Sequence, residues 1–206
     1  MGSKKLSIEI LKEFSKSGIN FCILRNYEDF SSENDIDILI SKEDVSKVHP
    51  IAQKFKLRKG IDFGNYLSYK NEDVWLDLKV GGVPYNGFVF GSSEELLSKK
   101  RKFEDFYVLE PEIEFIHLIL HSIIDKGSYK EKYMKRLENL RGVVDHKRIL
   151  NILQRKFGDI GERLFFLVIS ENYEKSLLLK KKIFRKLLNL KNLPNYIAIK
   201  AIKILR

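Results

Sequence analysis

The 206-residue sequence has a single cysteine, a single tryptophan and only four prolines. One cysteine excludes an internal disulfide and any cysteine-based zinc site. Cys22 lies in the apolar segment INFCIL, with no histidine or lysine beside it that would lower the pKa of its thiol. A buried core thiol is therefore a better interpretation of Cys22 than a nucleophile.

Long apolar runs are also missing from the sequence. No stretch approaches the roughly 20 consecutive apolar residues that a membrane-spanning helix needs. The first residues, MGSKKLSIEIL, contain no apolar segment long enough for a secretory signal. These absences predict a cytoplasmic protein.

Acidic residues are absent from the last 32 positions, which hold ten of the 38 lysines and arginines. The net charge of +10 therefore belongs to residues 175–206, because the rest of the chain has 28 basic and 28 acidic residues. Three interpretations remain open: an amphipathic segment on an anionic membrane surface, an arm that binds nucleic acid, or a terminal helix packed on the body. Long aliphatic side chains between the cations favour peripheral membrane contact over nucleic acid.

Two halves with different periodicity make up the chain. Residues 1–110 alternate short β-type segments, such as DIDILI and VWLDLKV, with helical segments, including SSEELLSKKRKF with a serine cap. Residues 111–206 are helical almost throughout, beginning with PEIEFIHLILHSIIDKG. We expect an α+β protein: a small mixed β-sheet with flanking helices, followed by an all-helical C-terminal lobe that ends in the basic tail.

Three acidic residues in the predicted strands stand out. Asp35 and Asp37 are two positions apart in DIDILI, so they share one face of a strand, about 7 Å apart. Asp77 is centred in WLDLK, where alternation places Trp75, Asp77 and Lys79 on the face opposite the aliphatic residues. Carboxylates held together at the edge of a core call for a cation, and oxygen-only ligands suit Mg²⁺ or Mn²⁺. The alternative is that all three are ordinary turn or solvent-facing residues.

Three features of the sequence together resemble the nucleotidyltransferase superfamily related to DNA polymerase beta. They are a strand that ends in a short loop, a following D-h-D strand (h, hydrophobic) and a later h-D-h strand. More closely, ILRNYEDF with NDIDILI, PEIEFIHLILHSIIDKG and KYMKRL resembles a prokaryotic branch with an LRN-type loop and a His-x-x-x-His helix, some members of which are associated with surface-polysaccharide synthesis. The resemblance extends from about residue 19 to residue 140. It implies that Asp35, Asp37 and Asp77 are the metal ligands and catalytic residues.

The loop departs from the superfamily pattern, which has Gly-Ser or Gly-Gly where this chain has Arg25 and Asn26. We expect these two residues to receive phosphate, Arg25 through its guanidinium. Lys79 could pair with a carboxylate or contact phosphate. Imidazole and ammonium groups suit anions, so His121 and Lys126 are further candidates for nucleotide binding, although a polar seam is the plainer interpretation of His117 and His121.

These features predict a metal-dependent nucleotidyltransferase. It would move a nucleoside monophosphate from an NTP to a hydroxyl or phosphate of a small-molecule acceptor, such as a sugar phosphate. The first alternative is a module on the same fold that binds a nucleotide or a partner without turnover. The second is an RNA-binding protein that uses the basic tail.

Overall fold

A computed structural model describes residues 3–28, 35–85 and 88–187 of the chain. They form two compact units. The first contains the described residues of Met1–Pro84 and Phe90–Glu110, and the second those of Tyr85–Val89 and Pro111–Arg206.

A seven-stranded mixed sheet is the centre of the first unit. In spatial order its strands are β3 (Arg58–Phe63), β4 (Tyr66–Lys70), β5 (Trp75–Val80), β2 (Ile36–Ile40), β1 (Phe21–Ile23), β9 (Phe106–Leu109) and β8 (Lys100–Phe103). The β2–β5 and β1–β9 pairs are parallel, and the other pairs are antiparallel. Two further strands, β6 (Gly82–Tyr85) and β7 (Phe88–Ser92), form a two-stranded sheet. The α+β class expected from the sequence is confirmed, with a larger sheet than expected.

One face of the seven-stranded sheet carries the apolar core of this unit. Helices α1 (Ser3–Lys16) and α2 (Val45–Lys54) supply the other half of that core. The strands contribute aliphatic residues at every second position, among them Ile36, Ile38 and Ile40 of β2 and Leu76 and Leu78 of β5. Because side chains alternate along a strand, the intervening residues Asp37, Asp77 and Lys79 point to the other face.

Helix α3 (Ser93–Leu97) contacts β2 and contributes the buried Leu96 and Leu97. The expected serine cap is present, since Ser92 Oγ accepts a hydrogen bond from the Glu95 backbone N–H. The expectation that this helix continues through KKRKF is wrong, because those residues include strand β8. Pairing with β9 outweighs the helix propensity of lysine and arginine there, and charged side chains are common on an edge strand.

Helices make up most of the second unit. They are α4 (Pro111–Leu120), a π-helix (His121–Lys126) that continues it, α5 (Glu131–Arg141), α6 (His146–Phe157), α7 (Asp159–Ile169), α8 (Tyr173–Leu177) and α9 (Lys180–Leu187). Pro111 occupies the first position of α4, where its missing N–H is not needed. Gly127 ends the π-helix in the left-handed conformation, with φ of 70°.

The first part of the basic tail packs on the second unit. Ile183 of α9 is fully buried, and α9 contacts α6, α7 and the π-helix. Lys181, Lys182 and Arg185 are exposed on the outer side. Residues 175–187 therefore match the packed-helix interpretation, whereas residues 188–206 lie outside the described residues. Within the described ranges, no helix combines the length and apolarity needed to cross a bilayer.

Cys22 offers a test of the core of the first unit. Its side chain is fully buried in β1, and burial raises the pKa of the thiol to about 12. We expect Cys22 in the native protein to resist a thiol reagent such as DTNB at pH 8, and to react at once in denaturant. Reagent absorbance measured with and without guanidinium chloride checks this. Rapid reaction of the native protein would contradict the packing described for β1.

Candidate functional site

The three acidic residues singled out by the sequence converge in the structure. Strands β2 and β5 are parallel neighbours, and their register places Asp37 directly beside Asp77. Asp35 immediately precedes β2. One carboxylate oxygen from each of the three residues lies within 4.8 Å of the others. Asp37 is buried, while Asp35 and Asp77 are partly exposed, so the group opens toward solvent on one side.

These carboxylates, called here the acidic trio, suit a hard divalent cation. Mg²⁺ and Mn²⁺ prefer oxygen ligands, and each usually takes only one or two carboxylates together with water and substrate phosphate. Within the described residues, no other cluster of three or more histidine, cysteine, aspartate or glutamate side chains is placed to share an ion. The donor set therefore fits the metal that the superfamily resemblance implies.

Arg25 is the first counter-ion of the acidic trio. It follows β1, and its guanidinium donates from Nε to Asp37 Oδ2 at 2.6 Å and lies 2.5 Å from the same oxygen through Nη2. Both side chains are almost fully buried, with 7% and 3% of their surfaces exposed. A buried carboxylate is stable only with a partner of this kind. In this structure Arg25 binds a carboxylate; its expected contact with phosphate stays a prediction.

Lys79 is the second counter-ion. Its ammonium lies 2.7 Å from Asp77 Oδ2 and 3.5 Å from Asp37 Oδ1, so it bridges the two strands. Lys79 Nζ also lies 4.8 Å from the centroid of the Tyr66 ring, a cation–π contact that holds the ammonium in place. Of the two roles expected for Lys79, pairing with a carboxylate is the one that the structure contains, and its contact with phosphate stays a prediction.

Burial raises the pKa of the Asp77 carboxyl above its ordinary value. The neighbouring charges of Asp37 and Asp35 act in the same direction, and the Lys79 ammonium opposes them. Asp77 is therefore a stronger base than an exposed aspartate.

Asn26 lies in the left-handed region, with φ of 57°. Asparagine is one of the few residues other than glycine that adopts this conformation readily. The superfamily pattern has small residues at this loop, so Asn26 allows a turn that glycine would otherwise provide. Its expected contact with phosphate stays a prediction.

His121 and Lys126 belong to the second unit. His121 Nδ1 lies 3.2 Å from Asp125 Oδ2, and its Nε2 lies 3.3 Å from the Tyr133 hydroxyl. Lys126 is exposed at the end of the π-helix. Binding of nucleotide by His121 and Lys126 stays a prediction from the sequence.

His117 and His121 form a polar seam inside the second unit. Their rings are stacked, with centroids 6.0 Å apart, and the Tyr85 hydroxyl lies 2.5 Å from His117 Nδ1. The interpretation of His117 and His121 as a polar seam agrees with these contacts.

Tyr66 is the site residue that the sequence did not reveal. It lies in a β-rich part of the sequence, where packing is the ordinary role of an aromatic side chain. Its antiparallel register with Lys79 is what brings its ring to the ammonium. Only knowledge of the β4–β5 pairing could have identified it.

Comparisons with known proteins bear on the fold of the chain. No family model matches the sequence, and no curated protein matches it. The structure is similar to the solution structure of the antibiotic-resistance factor ANT(2'')-Ia, an aminoglycoside nucleotidyltransferase, with a TM-score of 0.51 and 10% sequence identity, covering 84% of this chain and 97% of that one. JHP933 from Helicobacter pylori aligns over 97% of this chain and 95% of its own, at 12% identity and a TM-score of 0.45. The similarity to ANT(2'')-Ia supports a nucleotidyltransferase-like fold, while the resemblance to one prokaryotic branch stays a prediction.

The buried ion pair predicts different structural roles for two members of the acidic trio. We expect Asp37→Ala to lower the free energy of unfolding by about 3–5 kcal/mol, because it removes the carboxylate that the buried guanidinium of Arg25 contacts. Asp35→Ala, at a partly exposed position, should cost no more than about 0.5 kcal/mol. Urea unfolding followed by circular dichroism measures both. Equal losses for the two variants would contradict the structural role assigned to Asp37.

Proposed function

We propose that this protein is a metal-dependent nucleotidyltransferase. It transfers a nucleoside monophosphate from an NTP to a hydroxyl or phosphate group of a small molecule, such as a sugar phosphate. The observation that carries the proposal is the convergence of the acidic trio, with one oxygen of each carboxylate within 4.8 Å of the others. The nucleotidyltransferase-like fold supports it independently.

The acidic trio would hold Mg²⁺ or Mn²⁺. Metal bound there would stabilise the charge that develops on the reacting phosphate and on the departing pyrophosphate. The pairing of β2 with β5 fixes Asp37 beside Asp77, and Asp35 immediately precedes β2. Placement of Asp37 and Asp77 on paired strands would favour catalysis, because the backbone that carries these carboxylates need not rearrange when metal binds.

The remaining side chains of the site suit an anionic substrate. Arg25 and Lys79 place a guanidinium and an ammonium beside the carboxylates. Both groups bind phosphate oxygens well, Arg25 through two donors and Lys79 as a point charge. Asp77, whose pKa is raised by burial, is the carboxylate best suited to accept a proton from the attacking hydroxyl.

The similarity to ANT(2'')-Ia, an aminoglycoside nucleotidyltransferase, does not extend to the acceptor. At 10% identity the likeness reaches the fold alone. We therefore propose an acceptor only by its chemical class, a small molecule with a hydroxyl or phosphate group.

A second candidate function is a module that binds an anionic ligand without turnover. One observation favours it: two of the carboxylates already have cationic partners inside the protein. A site with its charges satisfied in this way does not need metal to be stable. The two candidates differ in whether the bound nucleotide is cleaved.

The direct test is a screen of the four NTPs, with Mg²⁺ or Mn²⁺ and a panel of sugar phosphates and polyols, for release of pyrophosphate. We expect release with at least one combination, and loss on removal of metal with EDTA. Asp77→Asn should lower the rate about a thousandfold or more, because several kcal/mol of metal-dependent stabilisation depend on the ligand set.

Asp73→Asn is the matched control, since it removes a carboxylate from an exposed position just before β5. It should retain the wild-type rate. Binding of a nucleotide without pyrophosphate release under any condition would favour the non-catalytic module. Equal rates for Asp77→Asn and wild type would contradict the role of the acidic trio.

A further inference from the structure

The two counter-ions contact two of the three carboxylates that a metal would use. Asp37 Oδ2 is taken by Arg25 at 2.5–2.6 Å, and Asp77 Oδ2 is taken by Lys79 at 2.7 Å. Lys79 also reaches Asp37 Oδ1 at 3.5 Å. Two of the three carboxylate charges are therefore offset by cations that lie within the ligand set.

This arrangement acts against a free divalent ion. A metal entering the acidic trio would meet an ammonium and a guanidinium at ion-pair distance from its ligands. Repulsion between like charges is strong in a partly buried site, where water screens it weakly. The ion must also displace charge-assisted hydrogen bonds, which are the strongest that a carboxylate accepts.

A polyphosphate changes this balance. Its oxygens offer new anionic partners to Arg25 and Lys79. Neither side chain can rotate out into solvent instead, because only 7% of the Arg25 side chain and 10% of the Lys79 side chain are exposed. When the cations pair with phosphate, lone pairs of Asp37 and Asp77 become available to metal. Binding of polyphosphate and binding of metal at the site then strengthen each other, and the coupling is reciprocal by linkage.

We propose that Arg25 and Lys79 are built-in counter-ions that keep the acidic trio closed to free divalent metal until a polyphosphate binds. This inference rests on the proposed function, in that it takes the trio as the metal site. Arg25 and Lys79 thereby gain a second role, as positioning residues that make the metal and the nucleotide bind together rather than separately.

The test measures two binary affinities separately, so that complexes of metal with phosphate in solution do not interfere. The affinity for Mn²⁺ alone is followed by the electron paramagnetic resonance signal of the free ion. The affinity for inorganic tripolyphosphate, without metal, is measured by calorimetry. Both affinities are measured at the same pH and ionic strength, because salt screens the charges that determine them.

Lys79→Met is the principal variant. We expect it to bind Mn²⁺ at least about tenfold more tightly than wild type, and tripolyphosphate at least about tenfold more weakly. Lys79→Arg keeps the charge and should hold Mn²⁺ as weakly as wild type. The double variant Lys79→Met with Asp35→Asn should not show this increase in Mn²⁺ affinity. That result would place the more tightly bound Mn²⁺ at the acidic trio.

Lys54→Met is the matched control for charge. Its ammonium pairs with Glu13 at 2.7 Å on the helices that cover the core face of the sheet, opposite to the trio. It removes the same net charge from the first unit and should change neither affinity. A thermal melt of each variant establishes that the folded protein is being measured, and Lys79→Gln replaces Lys79→Met if the latter does not fold.

Unchanged or weaker Mn²⁺ binding by the folded Lys79 variant would overturn the inference. So would an equal gain in Lys54→Met, since this would reflect net charge alone. The pyrophosphate screen separates this outcome from failure of the proposed function. Turnover by wild type without tighter Mn²⁺ binding by the variant rejects the counter-ion role only, whereas tighter binding without any turnover rejects the transferase and retains the counter-ion role.

Discussion

The carboxylates on one face of the sheet need nearby positive charge, and the arrangement of the whole site follows from this requirement. Asp37 is almost fully buried and lies beside Asp77 in register, so the two carboxylates would repel each other without nearby cations. Arg25, which follows β1, and Lys79, which lies in β5, supply those cations. The same four side chains therefore balance the charge on this face of the sheet, and they include two of the three carboxylates of the proposed metal site.

The sheet makes this arrangement possible by combining two features. Alternation along β2 and β5 directs the aliphatic residues to the core under α1 and α2, and directs Asp37, Asp77 and Lys79 to the opposite face. The parallel pairing of β2 with β5 then brings residues far apart in sequence into direct register. A shift of one residue would bury the carboxylates in the core, so the apolar pattern itself maintains the site.

Much of this site could be predicted from local sequence patterns. The period of two fixed the shared face of Asp35 and Asp37, and that of Asp77 and Lys79, without knowledge of the fold. That Asp77 joins Asp35 and Asp37 was implied by the resemblance and not by any local pattern, because strand order depends on long-range contacts. The partner of Arg25 and the place of Tyr66 could not be predicted, since each depends on a neighbouring strand or loop that no local pattern identifies. Strand β8 was missed for the same reason, as its pairing with β9 overrides a helical composition.

We have proposed that the acidic trio binds divalent metal together with a nucleoside triphosphate. Anomalous X-ray diffraction from crystals grown with Mn²⁺ and a non-hydrolysable NTP analogue would locate the metal. We expect a manganese peak within about 2.0–2.3 Å of oxygens from Asp35, Asp37 and Asp77, with Arg25 and Lys79 turned to phosphate. Manganese bound elsewhere, with the Arg25–Asp37 and Lys79–Asp77 pairs intact beside the bound analogue, would contradict this proposal.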